Sequence, residues 1–149
     1  MPLFSVTEMQ PRDAAEAYLL VRIVAPAVSP ERWADFVTTR PAGMPLLVLQ
    51  TCDGGVFGVA SYRIVAHGDG RVMLVDTFVT LEVSAAGRGR RHLTAALEQR
   101  AAELGAHALV QPIPGDGPLR NHVALDADTA PIGGWTAHTA ADLQPRAAH

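Results

Sequence analysis

Apolar and polar positions along this chain switch between two periods, and the switches mark its elements. Leu3 to Thr7 alternates briefly and predicts a short first strand. Pro11 opens a stretch in which Ala14, Ala17, Tyr18, Val21 and Ile23 recur at roughly helical spacing, predicting a helix over about Arg12–Val24 that Pro26 ends. Ser29-Pro30-Glu31 then reads as an N-cap with proline at the first helical position, starting a second helix through Trp33, Phe36 and Val37. Pro41, Gly43 and Pro45 close it.

From there the pattern is extended. Leu46 to Gln50 is a short apolar run followed by Asp53-Gly54-Gly55, residues that take a tight turn at low cost. Val56 to His67 predicts a long strand, with Gly58 as a bulge position. Gly68-Asp69-Gly70 is a second hairpin turn, and Arg71 to Thr80 a further strand offering Val72, Leu74, Phe78 and Val79 to a core. These strands form an antiparallel meander. Past Thr80 the chain is small and glycine-punctuated through Ser84-Ala85-Ala86-Gly87-Arg88-Gly89. A helix over Arg90–Leu104 follows, its apolar face marked by Leu93, Ala96, Leu97, Ala101 and Leu104, with Gly105 at the C-cap position. Ala108 to Gln111 predicts a short buried strand, Pro112 to Pro118 a loop, Leu119 to Leu125 a short helix, and Ile132 to Thr139 a last strand broken at Gly133-Gly134. Leu143 to His149 reads as a frayed end.

The length of 149 residues suits one domain over 1–149, and 48% apolar with 18% charged residues is a globular balance. Twelve basic against fifteen acidic residues, a net charge of −3, argue against a nucleic-acid partner bound through bulk positive charge. Every basic residue is arginine, so the chain has no lysine for Schiff-base chemistry and no P-loop. Cys52 is the single cysteine, which excludes an intrachain disulfide and a multi-cysteine zinc site. His67, His107, His122 and His138 lack metal-ligand spacing, so no metal is expected. No apolar run approaches the roughly 20 residues of a membrane span, and no signal pattern opens the chain. The expectation is a soluble, cytoplasmic domain without a membrane partner.

The stretch from Arg71 to Gln111, strand, glycine turn, helix, strand, carries the chemistry. A helix N-terminus leaves backbone N–H groups without intrahelical partners, and its macrodipole adds about half a positive charge. Glycines let an anion approach closely, and Arg88, Arg90 and Arg91 place charge at the same point. Together they describe a pyrophosphate cradle. On the local residues alone, an ordinary strand-to-helix turn with solvated arginines is the competing explanation.

The order of elements, with this turn, resembles the Gcn5-related N-acetyltransferase (GNAT) family over roughly residues 3–115. In that family the fourth strand runs into a Q/R-x-x-G-x-G/A turn and a helix that holds the pyrophosphate of acetyl-coenzyme A. Ser84-Ala85-Ala86-Gly87-Arg88-Gly89 matches both glycines but has serine at the Gln/Arg position, with Val79 at the apolar strand position five residues earlier. A second register, starting at Arg88, gains the arginine and loses both glycines. The resemblance implies an α/β (α+β) fold with a mixed, mostly antiparallel sheet flanked by helices. It implies acetyl-CoA as co-substrate, held by Ser84, Gly87, Arg88, Gly89, Arg90 and Arg91. Backbone N–H groups near Phe78 and Val79 would polarise the thioester carbonyl, with the donor between the strand ending at Thr80 and the one beginning near Ala108. The acceptor would be a small amine, an amino acid or a peptide amine. The tyrosine that commonly protonates the departing thiolate has no counterpart, since Tyr18 and Tyr62 both lie upstream.

A general base needs a tunable carboxyl or imidazole near that place. Asp76, in an otherwise apolar strand, is the first candidate, with partnership to an arginine as its structural alternative. Glu82, just past the strand end, is the second, with a solvated loop carboxylate as the alternative, and His92 in the helix's first turn is a weaker one. Ser84 either contacts phosphate or caps the helix. Trp33 and Phe36 belong to a core that borders the acceptor side, and Trp135 to a core or a dimer contact. Two functions therefore stand: an N-acetyltransferase, and a catalytically inactive relative that serves as a binding or regulatory module. Exposed strand edges favour a homodimer.

Overall fold

The turn glycines fold the middle of the chain back on itself twice. In the computed structural model, which describes residues 4–40, 44–82, 86–112 and 118–125, Gly54 and Gly68 take φ of 92° and 62°. Only glycine adopts such angles without strain. They separate β2 (Leu46–Thr51), β3 (Val56–His67) and β4 (Gly70–Thr80), the predicted meander, which β1 (Phe4–Glu8) extends by pairing antiparallel with β2. A short β5 (Leu109–Val110) pairs parallel with β4, giving one mixed five-stranded sheet in the order β1-β2-β3-β4-β5.

Side chains alternate between the faces of a sheet, and the helices divide accordingly. On one face Leu47, Leu49, Tyr62, Met73 and Phe78 pack on Leu93, Leu97 and Ala101 of α3 (Arg88–Glu103). On the other, Leu46, Val48, Val59 and Val79 pack on α1 (Ala14–Val24) and α2 (Pro30–Thr39). A single turn of 3-10 helix at Pro11–Asp13 leads into α1. Ser29 is the N-cap of α2: its hydroxyl accepts from the Arg32 N–H at 3.0 Å. Trp33, buried on α2, donates its indole N–H to the Ala14 carbonyl and locks α2 to α1. Gly105, at φ 77°, follows α3 as the sequence predicts.

Three expectations need correction. Ile23 is 67% exposed and Leu20, not Ile23, completes the buried stripe of α1, because a 3.6-residue period carries position 23 past the sheet. Leu104 lies beyond the last turn of α3 and is exposed. Residues 119–125 are extended rather than helical, because the edge of β4 and the side chain of Gln111 take up their backbone groups. The expected strand at Ile132–Thr139, with Trp135 and His138, the tail from Leu143, and Ser84 lie outside the described residues. None of the helices described is long and apolar enough to cross a membrane.

An aliphatic position that the sequence places correctly and one that the structure corrects can be compared by substitution. Leu97→Ala, fully buried on α3, is expected to lower unfolding stability by about 2–5 kcal/mol. Ile23→Ala should change it by less than about 0.5 kcal/mol in the same urea titration.

Candidate functional site

Strand β4 has one residue more than β3 can match. Ser61 pairs with Thr77 and Tyr62 with Val75, so Asp76 is the extra residue of a bulge. The bulge resets the alternation: Val75 and Phe78, three apart, both lie in the α3-side core, where an uninterrupted strand would place them on opposite faces. Asp76 is fully buried and its Oδ2 accepts from Arg63 Nε at 2.9 Å across the β3–β4 pair. Burial pushes its carboxyl above the ordinary range, and the hydrogen bond and charge of Arg63, with a smaller pull from His122, offset part of that rise. His122 is pushed down by its own burial, against the opposing charge of Asp76, so it is neutral at pH 7.

The loop after β4 delivers α3 with its N-terminus at the same end of the sheet. Gly87 is the N-cap residue at φ 66°, and a Cβ there would meet nothing within 4 Å. Gly89 is buried, and a Cβ on it would come within 3.2 Å of Glu82 Oε2 and 3.3 Å of Leu49 Cδ2. One glycine therefore shapes the backbone and leaves open space, and the other lets the helix sit tightly on β2. Glu82 Oε2 accepts the Arg90 N–H at 3.0 Å, so a carboxylate of the chain itself holds one amide of the first turn. Arg90 Nε is buried and has no hydrogen-bond partner among the described residues. Arg91 donates to the Ala86 carbonyl, and His92 Nδ1 lies 3.1 Å from the Arg88 carbonyl.

The edge of β4 that faces β5 continues past it. β5 pairs only with Met73 and Leu74, and farther along the Phe78 N–H donates to the His122 carbonyl at 2.8 Å while the His122 N–H donates back at 2.7 Å. The Thr80 N–H donates to Asn121 Oδ1 at 3.1 Å. The Thr77 hydroxyl bonds both the Ala124 carbonyl and the Ala124 N–H, each at 3.0 Å.

A β4–β5 pair that parts after two residues, beside a glycine-opened helix end on a mostly antiparallel sheet, is an architecture with solved counterparts. An aminoglycoside N-acetyltransferase in complex with CoA aligns with a TM-score of 0.62 at 13% identity, over 74% of this chain and 77% of that one. The chain has the GNAT fold. A GNAT family acetyltransferase from Staphylococcus aureus aligns at TM-score 0.62 and 16% identity over 83% of this chain and 96% of its own. The ribosomal-protein-alanine N-acetyltransferase of Brucella melitensis biovar Abortus 2308 aligns at 0.60 and 19% identity, over 74% and 80%. No protein-family model and no curated protein sequence matches the chain.

Within the GNAT fold, the residues singled out from the sequence fall into three places. Gly87, Arg88, Gly89, Arg90 and Arg91 are together at the start of α3, with Glu82 against them. Asp76 is apart from these, inside the sheet with Arg63. Phe78 and Val79 lie just before the end of β4 at Thr80, but the Phe78 N–H is already given to His122. Arg63, Asn121, Thr77 and His122 were not singled out as site residues. Arg63 was legible in outline, because counting back from the Gly68 turn brings it opposite Leu74, two residues before the acidic strand position. The place of Asn121 and His122 depends on how the chain returns from β5.

The Asp76 shift has a sign that unfolding can read. With the folded value raised, the native state holds a proton more tightly than the unfolded chain, so the contribution of Asp76 to stability falls as pH climbs above its ordinary value of 3.8. Urea titrations between pH 4 and 8 should show wild-type protein losing stability relative to Asp76→Asn over that climb. A flat difference would place the carboxyl in an unshifted state.

Proposed function

We propose that the protein is an acyl-CoA-dependent N-acetyltransferase acting on a small amine, an amino acid or a peptide amine. The observation that carries this reading is the start of α3. An open glycine N-cap at Gly87, a buried Arg90 Nε without a partner among the described residues and the positive end of a 16-residue helix lie together where the GNAT fold opens its sheet. These groups fit a diphosphate: oriented N–H donors, a guanidinium, and room left by a missing side chain. Among the solved structures of the same fold, one holds CoA, and others are named for aminoglycoside, ribosomal-protein alanine or glucosamine-6-phosphate acetylation.

Acyl-CoA, when bound, supplies a thioester carbonyl that an amine attacks with loss of the thiol. Asp76 is the base in this reading: a carboxyl raised by burial accepts a proton from an ammonium or its water more readily than a solvated one. Glu82 is committed to the Arg90 N–H and serves the helix end. Arg88 and Arg91, exposed at the first turn, add charge for the phosphates. A cytoplasmic location, with Cys52 an exposed thiol, and a homodimer through the outer edge of β1, unpaired among the described residues, accompany the proposal. One observation favours the second reading, a catalytically inactive acyl-CoA-binding or regulatory module: the Phe78 N–H expected to polarise the carbonyl is bonded to His122.

Calorimetric titration with acetyl-CoA and with CoA tests the reading. Micromolar binding should be lost in Gly87→Glu, which places bulk and negative charge in the cradle. Absence of binding at millimolar ligand would overturn it. With an amine acceptor in hand, Asp76→Asn should lower kcat by about 10²–10⁴ with little change in acetyl-CoA affinity. Equal rates in wild type and variant would remove Asp76 as the base, whereas donor binding without turnover on any amine would leave the module reading.

A further inference from the structure

The edge of β4 that faces β5 has two successive partners. Over Met73 and Leu74 the partner is β5, and over Phe78 and Thr80 it is residues 121–122, running antiparallel to β4. The Gln111 side chain bonds both the Arg120 N–H and the Arg120 carbonyl at 2.8 Å, closing the intervening loop at its neck. Just before this neck Leu119 is buried in the α3-side core, while past it Val123 and Leu125 lean on the core of the opposite face. The segment therefore wraps the edge of the sheet instead of extending it.

Its hold differs in kind from that of the strands. One exchanged pair of backbone bonds, one Asn121 side-chain bond and the two bonds of the Thr77 hydroxyl attach residues 121–124 to β4. Asn121 is exposed and His122, Val123 and Ala124 are only half-buried, whereas every β4 residue from Val72 to Thr80 is buried. A segment with few buried apolar contacts opens at lower free energy than the sheet beneath it. Releasing it would free the Phe78 and Thr80 N–H groups, two donors on one edge about 7 Å apart. A ligand arm carrying secondary amides and a thioester, as acyl-CoA does, meets that spacing with its carbonyls. Thr80 Oγ1, buried and unpartnered among the described residues, lies at the same position.

We propose that residues 121–124 are a displaceable strap that occupies the β4 edge of the acyl-donor site and must leave before the donor can pair there. This rests on the acyl-CoA reading above. The strap makes the chain its own competitor: the apparent donor affinity is the intrinsic affinity multiplied by the fraction of molecules with the strap open. Loosening the strap without touching the α3 cradle therefore tightens donor binding.

Two measurements on the full chain test this. In amide hydrogen exchange without ligand, Phe78 and Thr80 should exchange at least about tenfold faster than Val79, whose N–H points the other way, towards β3. Equal protection would make residues 121–124 a permanent part of the sheet and overturn the proposal. In calorimetry, the double variant Asn121→Ala/Thr77→Val removes three strap bonds and should bind acetyl-CoA at least about fivefold more tightly than wild type. Circular dichroism and a urea titration confirm that the variant is folded, and Asn121→Ala alone, an exposed position, gives the same direction with a smaller step. Unchanged or weaker binding in folded variants sinks the strap and leaves the donor reading intact. No binding by wild type or by either variant sinks the donor reading, and the strap's role with it.

Discussion

The extra residue in β4 shifts the strand's alternation by one, and the C-terminal end of the strand depends on that shift. Before the bulge, Met73 gives its N–H to the Ala108 carbonyl on the β5 side. Counting by twos would then send the N–H groups of Thr77 and Val79 to that side. With Asp76 inserted, Phe78 and Thr80 face it instead. The same insertion turns Phe78 into the α3-side core, so the large ring packs under the helix that carries Leu93, Leu97 and Ala101. A bulge thus sets at once which amides line the β4 edge and how α3 is supported.

Insertion also places a carboxylate inside the sheet, where an isolated charge costs several kcal/mol. Arg63 answers it from β3 at 2.9 Å, with its side chain 16% exposed, so the guanidinium keeps some water while the carboxylate keeps almost none. That asymmetry is why burial still outweighs the arginine and holds the carboxyl above its ordinary range. A fully solvated pair would have left Asp76 an unreactive anion. An unpaired one would have cost more than the sheet returns.

At both candidate contact points the chain satisfies its own polar groups. Glu82 holds the Arg90 N–H at the start of α3, and the segment after β5 holds Phe78 and Thr80. Buried backbone donors without partners are expensive, so a sheet whose strands part needs something to fill the opening. Water can do this at the exposed helix end. At the edge of β4, between two apolar cores, the chain does it.

Much of this architecture was legible residue by residue. The turn glycines at 54 and 68, the Ser29 cap with Pro30 behind it, and Gly105 after α3 are local devices, and local sequence suffices to read them because each satisfies φ or a hydrogen bond within a few residues. The apolar run from Leu46 marked a strand, which the structure buries on both faces, and the glycine pair at 87 and 89 falls at the start of α3. Tertiary structure decided what no window contains. Leu119 to Leu125 has a composition that suits a short helix, but the unshared edge of β4 and the amide of Gln111 claim its backbone, and pairing with an existing edge outweighs weak local propensity. The partners of Asp76 depend on where a bulge falls, and a bulge reflects packing on both faces of the sheet rather than any preference of Asp76 itself.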